Sequence, residues 1–233
     1  RPLEGYWAGF INYLSRYQGV KVAIDLPSGL QADKTTIGTT FCVDYTFSFE
    51  LPKLAFMLPE NEARVGAWTF ASIGLDRDFI ERAETPFHYL TLNDLTGWLK
   101  RRARHAHKGQ FGHTLLIAGS QGMMGAALLS GRAALRSGTG LLTIHAPSCG
   151  YSILQMGLPE AMVSSDRHQF NFSELPEISK YSAIGIGCGL GNKDFSVRGV
   201  DELLGAVGQK PLVLDADALN IIAQQNWQNR IPR

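Results

Sequence analysis

Three aspartates and one glycine-rich loop are where residue type and spacing in this sequence could do chemistry. Asp25 lies near the end of the run Val20–Leu26, one residue before the turn Pro27-Ser28-Gly29. A short apolar run bounded by turn residues reads as a buried strand, so this carboxylate lies at a strand's carboxyl end beside a tight turn. There it can serve as an acid, a base or a hydroxyl-positioning group, or it can cap the turn. Asp215 and Asp217 end a second such run, P-L-V-L-D-A-D. On a continuing strand both would face one side, which suits metal or proton chemistry. Alternatively Asp217 caps a helix running from Ala218 to Gln225.

The loop is G-S-Q-G-M-M-G, Gly119 to Gly125. An apolar run, Thr114 to Ala118, precedes it; a small-residue helix pattern, Ala126 to Arg136, and a second apolar run, Leu141 to Ile144, follow. That order makes one βαβ unit with the loop at the carboxyl end of its first strand, where open α/β sheets take ligands. The loop also opens a helix, whose free N–H groups and dipole favour a phosphate or other anion. The spacing is neither G-x-G-x-x-G nor G-x-x-x-x-G-K-[ST], so neither nucleotide fingerprint applies, and glycines equally serve tight turns. Small residues at Gly125, Ala126 and Ala127 let a ligand approach the backbone, or let the helix pack closely on the sheet.

Other chemistry-bearing residues carry less. Lys53 lies just past a strand pattern among apolar neighbours, where it can hold an anion, tune a neighbour or snorkel to water. His105, His107 and His113 lack helical ligand spacing and acidic or cysteine partners, so no metal site is expected there. The three cysteines, Cys42, Cys149 and Cys188, form no C-x-x-C pair, which suggests reduced thiols and a cytoplasmic protein. Cys188 reads as a small buried thiol rather than a nucleophile.

The elements that must position these residues are legible in part. Phe10, Tyr13, Leu14 and Tyr17 suggest an amphipathic helix over Gly9–Tyr17. Phe41, Val43, Tyr45, Phe47, Phe49 and Leu51 alternate with polar residues, predicting a strand whose aromatic face meets the core. Further strands are expected at Trp68–Ile73, Tyr181–Gly187 and Pro211–Asp217. Thr85-Pro86 breaks the chain, and a domain boundary is placed near His88, before a helical face made by Leu95, Trp98 and Leu99. A length of 233 residues allows one large or two small domains. A net charge of +1 and the lack of a basic stripe interleaved with aromatics exclude nucleic acid as the expected partner. The basic run Lys100–His107 reads as a solvated helix end. No apolar run approaches the roughly 20 residues of a membrane helix, so no membrane partner is expected.

The whole string H-K-G-Q-F-G-H-T-L-L-I-A-G-S-Q-G-M-M-G-A-A-L-L-S-G-R-A-A-L-R-S-G-T-G-L-L-T, from His107, resembles the opening of the ADP-dependent NAD(P)H-hydrate dehydratase domain, of the ribokinase-like superfamily. L-P-E-A-M-V, G-C-G-L-G and V-L-D-A-D-A-L-N continue that resemblance, with Cys188 where proline is usual. V-A-I-D-L-P-S-G-L, from Val22, resembles the catalytic strand of the NAD(P)H-hydrate epimerase domain. The resemblance implies an α/β chain of two three-layer αβα domains. Residues 1–87 would be the C-terminal part of a Rossmann-like epimerase domain, and 88–233 the N-terminal part of a ribokinase-like domain. It implies that Asp25, with Lys53 as a weaker choice, is catalytic, and that Ser28 is a potassium ligand. Gly125, Ala126, Ala127 and Gly189 would contact the hydrated dinucleotide. His107, Lys108, Gly109 and Asp215 would line a nucleotide-side cleft, Asp215 near ADP and its Mg²⁺, leaving Asp217 as the cap. The partners implied are NAD(P)H hydrates and ADP, in a homo-oligomeric parent protein.

The family also carries an upstream glycine-asparagine-rich loop and a downstream anion hole with its catalytic aspartate, which this sequence does not contain. The expectation is therefore a chain inactive by itself in both reactions, with exposed strand edges and poor solubility. Two rival functions are a ribokinase-like kinase for a vitamin alcohol, disfavoured by the P-S-G strand, and a scaffold on a decayed epimerase fold, disfavoured by the intact Asp25.

Overall fold

The computed structural model describes residues 3–98 and 102–232. Its contacts divide the chain into two compact units, Arg1–Lys100 and Arg101–Arg233. The division falls later than His88 because the join packs on the first unit: the Tyr89 ring lies 6.2 Å from that of Trp68 and 5.8 Å from that of Phe70. Leu99, expected on a helical face, and Lys100 and Arg101 of the basic run lie outside the described residues.

The first unit contains α1 (Gly5–Leu14), β1 (Val22–Ile24), β2 (Tyr45–Phe49), α2 (Glu62–Val65), β3 (Ala67–Ala71), α3 (Arg77–Arg82) and α4 (Leu92–Trp98). The strands form a parallel sheet in the order β1-β2-β3, with Ile24 opposite Phe47 and Phe47 opposite Thr69. The alternation in β2 is present but its sense is the reverse of that expected. Thr46 and Ser48 are buried, whereas Tyr45 and Phe47 are 54% and 48% exposed. The polar side chains tolerate burial because each has a partner: the Thr46 hydroxyl donates to the Val65 carbonyl (2.7 Å) and the Ser48 hydroxyl to the Asp25 carboxylate (3.2 Å). Leu30, Ala55, Phe56 and Val65 form a small core in this unit, with Leu26 and Trp68 against it.

On the opposite face the aromatics are joined by exposed Val22 and Ile24. No second helical layer covers them among the described residues of this unit, so the three-layer expectation is corrected here. The amphipathic-helix reading is corrected too. α1 starts at Gly5 rather than Gly9, stops at Leu14, and buries only Ile11; Phe10, Tyr13 and Tyr17 are exposed.

The second unit has both faces of its sheet covered. β4 (His113–Ile117), β5 (Leu141–Pro147), β6 (Met162–Asp166), β7 (Ala183–Ile186) and β8 (Leu212–Leu214) form an all-parallel sheet in the order β6-β5-β4-β7-β8. The central strand shows why its sequence is a continuous apolar run. Leu115 and Ile117 enter one core with residues of α7 (Asp194–Ala206) and α8 (Ala216–Gln224). Leu116 and Ala118 enter another with residues of α5 (Met124–Ser137) and α6 (Tyr151–Gly157). Alternate side chains thus feed two cores, giving three layers.

Candidate active site

In the second unit the strand order turns at β4: β5 lies on one side of it and β7 on the other. Loops leaving the carboxyl ends of β4 and β7 face each other at this switch point, where open α/β sheets take ligands. They are tied directly. Gly119 N–H donates to the Cys188 carbonyl (2.9 Å), and the Ser120 hydroxyl donates to the Gly189 carbonyl (2.9 Å). Gly189 has φ +65°, and a Cβ there would stand 2.9 Å from Ala126 Cβ and 3.0 Å from the Met123 carbonyl oxygen. Only glycine lets the β7 loop lie this close to the amino end of α5. The N–H groups of Gly122, Gly125 and Gly189 have no hydrogen-bond partner among the described residues. The first turn of α5 holds no acidic side chain. Unpaired N–H groups and the helix dipole therefore make the amino end of α5 suited to an anion. Of the two alanines singled out in the sequence, Ala126 abuts Gly189, whereas Ala127 is fully buried in the core beneath α5.

Asp215 and Asp217 do not share a strand. β8 ends at Leu214, Asp215 takes the N-cap position, and α8 already begins at Ala216. The expectation that Asp217 caps the helix is thus corrected. It lies in the first turn, and its carboxylate reaches out of α8 to accept the Gly191 N–H at 2.8 Å. Asp215 is exposed, its carboxylate touched by the Cys188 thiol at 3.8 Å. Burial, and next the charge of Asp215, push the Cys188 thiol up.

In the first unit Asp25 ends β1 in the left-handed region, φ +68°. That strained backbone turns its carboxylate back across the sheet end. There it accepts from Phe49 N–H (3.1 Å) and the Ser48 hydroxyl (3.2 Å) and pairs with Lys53 Nζ (3.1 Å). Burial raises its pKa, but the bonds from Phe49 N–H, Lys53 and Ser48 outweigh that and hold the carboxyl below its usual range. Lys53 also donates to the carbonyls of Phe49 and Leu51, so it is an anchor for Asp25 with its donors occupied.

Some residues singled out in the sequence stand apart from these clusters. His107, Lys108 and Gly109 precede β4 at its amino end, where Gly140 packs on the Lys108 carbonyl. They are separated from the glycine loop by the length of β4, on the order of 15 Å. Ser28 is exposed and its hydroxyl makes no hydrogen bond among the described residues. A buried pair escaped the sequence reading. His145 Nε2 lies 3.3 Å from Asp166 Oδ2, both side chains 2% exposed or less. Asp166 also accepts from the backbone N–H groups of His168, Ser173 and Glu174 and from the Ser173 hydroxyl. Burial opposes its ionisation, but His145, Ser173 and His168 hold it far below the usual carboxylate range. Its one sequence signal is an aspartate closing the M-V-S-S-D strand.

A three-layer unit with a five-stranded parallel sheet and a glycine loop at its switch point defines a doubly wound α/β protein. A ribokinase-like superfamily protein from Enterococcus faecalis has this fold, at 25% identity and a TM-score of 0.52 over 62% of this chain and 52% of its own. Residues 114–232 match the profile of the NAD(P)H-hydrate dehydratase family, and the chain belongs to that family. It is also similar to the bifunctional NAD(P)H-hydrate repair enzyme Nnr of Moorella thermoacetica, 33% identical over 94% of this chain and 43% of that protein. The Escherichia coli Nnr is 32% identical over 91% of this chain and 40% of its own length. The chain thus spans about two fifths of the curated relatives it matches.

Proposed function

We propose that this chain serves in the repair of hydrated NAD(P)H. The second unit would hold the S-hydrate for ADP-dependent dehydration, and the first would contribute Asp25 to interconversion of the R and S hydrates. The observation that carries this reading is the backbone of Gly189 lying against the amino end of α5, with the N–H groups of Gly122, Gly125 and Gly189 unpaired. Such a cradle suits the phosphates of a dinucleotide, bound through backbone donors. Asp215, exposed and with the Cys188 thiol as its carboxylate's one hydrogen-bond partner among the described residues, fits as an oxygen ligand for the Mg²⁺ that accompanies ADP. When bound, that ion would neutralise phosphate charge. Asp25, kept ionised by Phe49 N–H and Lys53, can take a proton or hold a hydroxyl. Ser28 offers one hydroxyl towards potassium, which as a hard cation needs several oxygen ligands. A single exposed hydroxyl does not make that site, and no step is assigned to it.

The test is to titrate the chain with S-NADPH hydrate and measure binding. The hydrate is expected to bind, and Gly189→Ala to weaken binding at least about tenfold, because its Cβ intrudes on Ala126 and Met123. Absence of binding, or equal binding by Gly189→Ala, would remove the reading.

A further inference from the structure

Three of the five residues in the turn Gly187–Gly191 are glycines with positive φ. Such a segment has little conformational preference of its own, so its shape depends on what ties it down. Its carbonyls are tied to two elements. Cys188 and Gly189 accept from the loop after β4, and Leu190 accepts from the Ser196 hydroxyl on α7 at 3.2 Å. Its exit is tied to a third: Gly191 N–H donates to Asp217 Oδ2 at 2.8 Å, the one side-chain hydrogen bond from α8 to the turn among the described residues. The other carboxylate oxygen is held at 3.4 Å by Asn220 Nδ2, one turn further along the helix.

We infer that Asp217 is a positioning residue: by fastening the exit of the Gly187–Gly191 turn to α8, it keeps Gly189 against the amino end of α5. The inference deepens the proposed function and rests on it for the identity of the ligand. A charged acceptor is the stronger choice for a backbone N–H, and a rigid helix the better anchor for a glycine turn. The capping role available to an aspartate at this point is not exercised by Asp217, which leaves its carboxylate free for this contact.

Two readouts test it on the whole chain: affinity for S-NADPH hydrate, and amide exchange without ligand at Gly191 and at Gly119, whose N–H donates to the Cys188 carbonyl of the turn. Asp217→Ala is expected to weaken the hydrate about tenfold and to speed exchange at both amides. Asp217→Asn, which keeps an oxygen acceptor, should recover most of both, and Asn220→Ala should change neither. The asparagine variant also covers the case in which the alanine variant does not fold. The inference is overturned if Asp217→Ala binds the hydrate within about twofold of the parent, or if Asp217→Asn is as weak as Asp217→Ala. Should the parent chain itself bind no hydrate, the proposed function fails. Exchange alone then decides: unchanged rates in Asp217→Ala overturn the positioning role, and faster rates support it.

Discussion

Asp25 and Asp166 are both ionised carboxylates at strand ends, yet their surroundings give them different work. Asp25 is partly open and faces a lysine; Asp166 is shut in with a histidine and a ring of donors. Replacing Lys53 with Ala should raise the Asp25 pKa towards its usual value, readable by NMR titration of the carboxyl. An unchanged titration would assign the depression to Phe49 N–H and Ser48. Asp166 bears on stability. Its folded pKa lies below the unfolded value of 3.8, so the native state binds fewer protons there. Its contribution is therefore complete above the carboxylate range and is lost as pH falls through and below that value. Asp166→Ala should cost the second unit about 3–5 kcal/mol in urea at neutral pH and flatten its acid dependence. A loss under about 1 kcal/mol would mean that the loop 167–174 does not depend on the carboxylate. Asp25 stood out in the sequence as a carboxylate at a strand's end beside a turn, and it and Gly189 were singled out by family motifs that contiguous residues carry. Asp166 did not stand out, because His145 is 21 residues away and only the pairing of β5 with β6 brings them together.

At the scale of elements, the central strand β4 was legible because it is a short apolar run feeding two cores, whereas the edge strand β6, M-V-S-S-D, carries no such run. The first unit's β2 was half legible. Period two says that a strand has two faces; which one is covered depends on what packs on the finished sheet. Here the polar face could be covered because both hydroxyls find acceptors, Thr46 at the Val65 carbonyl in the core and Ser48 at the Asp25 carboxylate at the sheet's end. The two faces should respond oppositely to substitution. Phe47→Thr with Ile24→Thr should change stability by about 0.5 kcal/mol or less while lowering binding of an apolar dye such as ANS. Thr46→Val, nearly the same in shape, should cost about 1 kcal/mol by orphaning the Val65 carbonyl. A loss of several kcal/mol from the Phe47 and Ile24 pair would show that the aromatic face is covered in solution.

Over the whole chain, stability should divide as the cores do. The first unit has one small cluster, Leu30, Ala55, Phe56 and Val65, beneath a sheet open on its other side. The second has two clusters of 14 and 10 buried residues on opposite faces of one sheet, so it should be the more resistant to denaturant. Each unit has its own core, the condition for unfolding as a unit. Two steps are therefore expected in urea, the first unit melting at the lower concentration, followed by hydrogen exchange resolved along the chain. Val65→Ala should lower only the first midpoint, and Leu203→Ala only the second, the latter by about 2–5 kcal/mol for a leucine lost from a closed core. If both variants shifted a single common transition, the two cores would be thermodynamically one. A boundary near residue 100 would then describe packing alone, and the hydrate cleft would depend on the first unit for its stability.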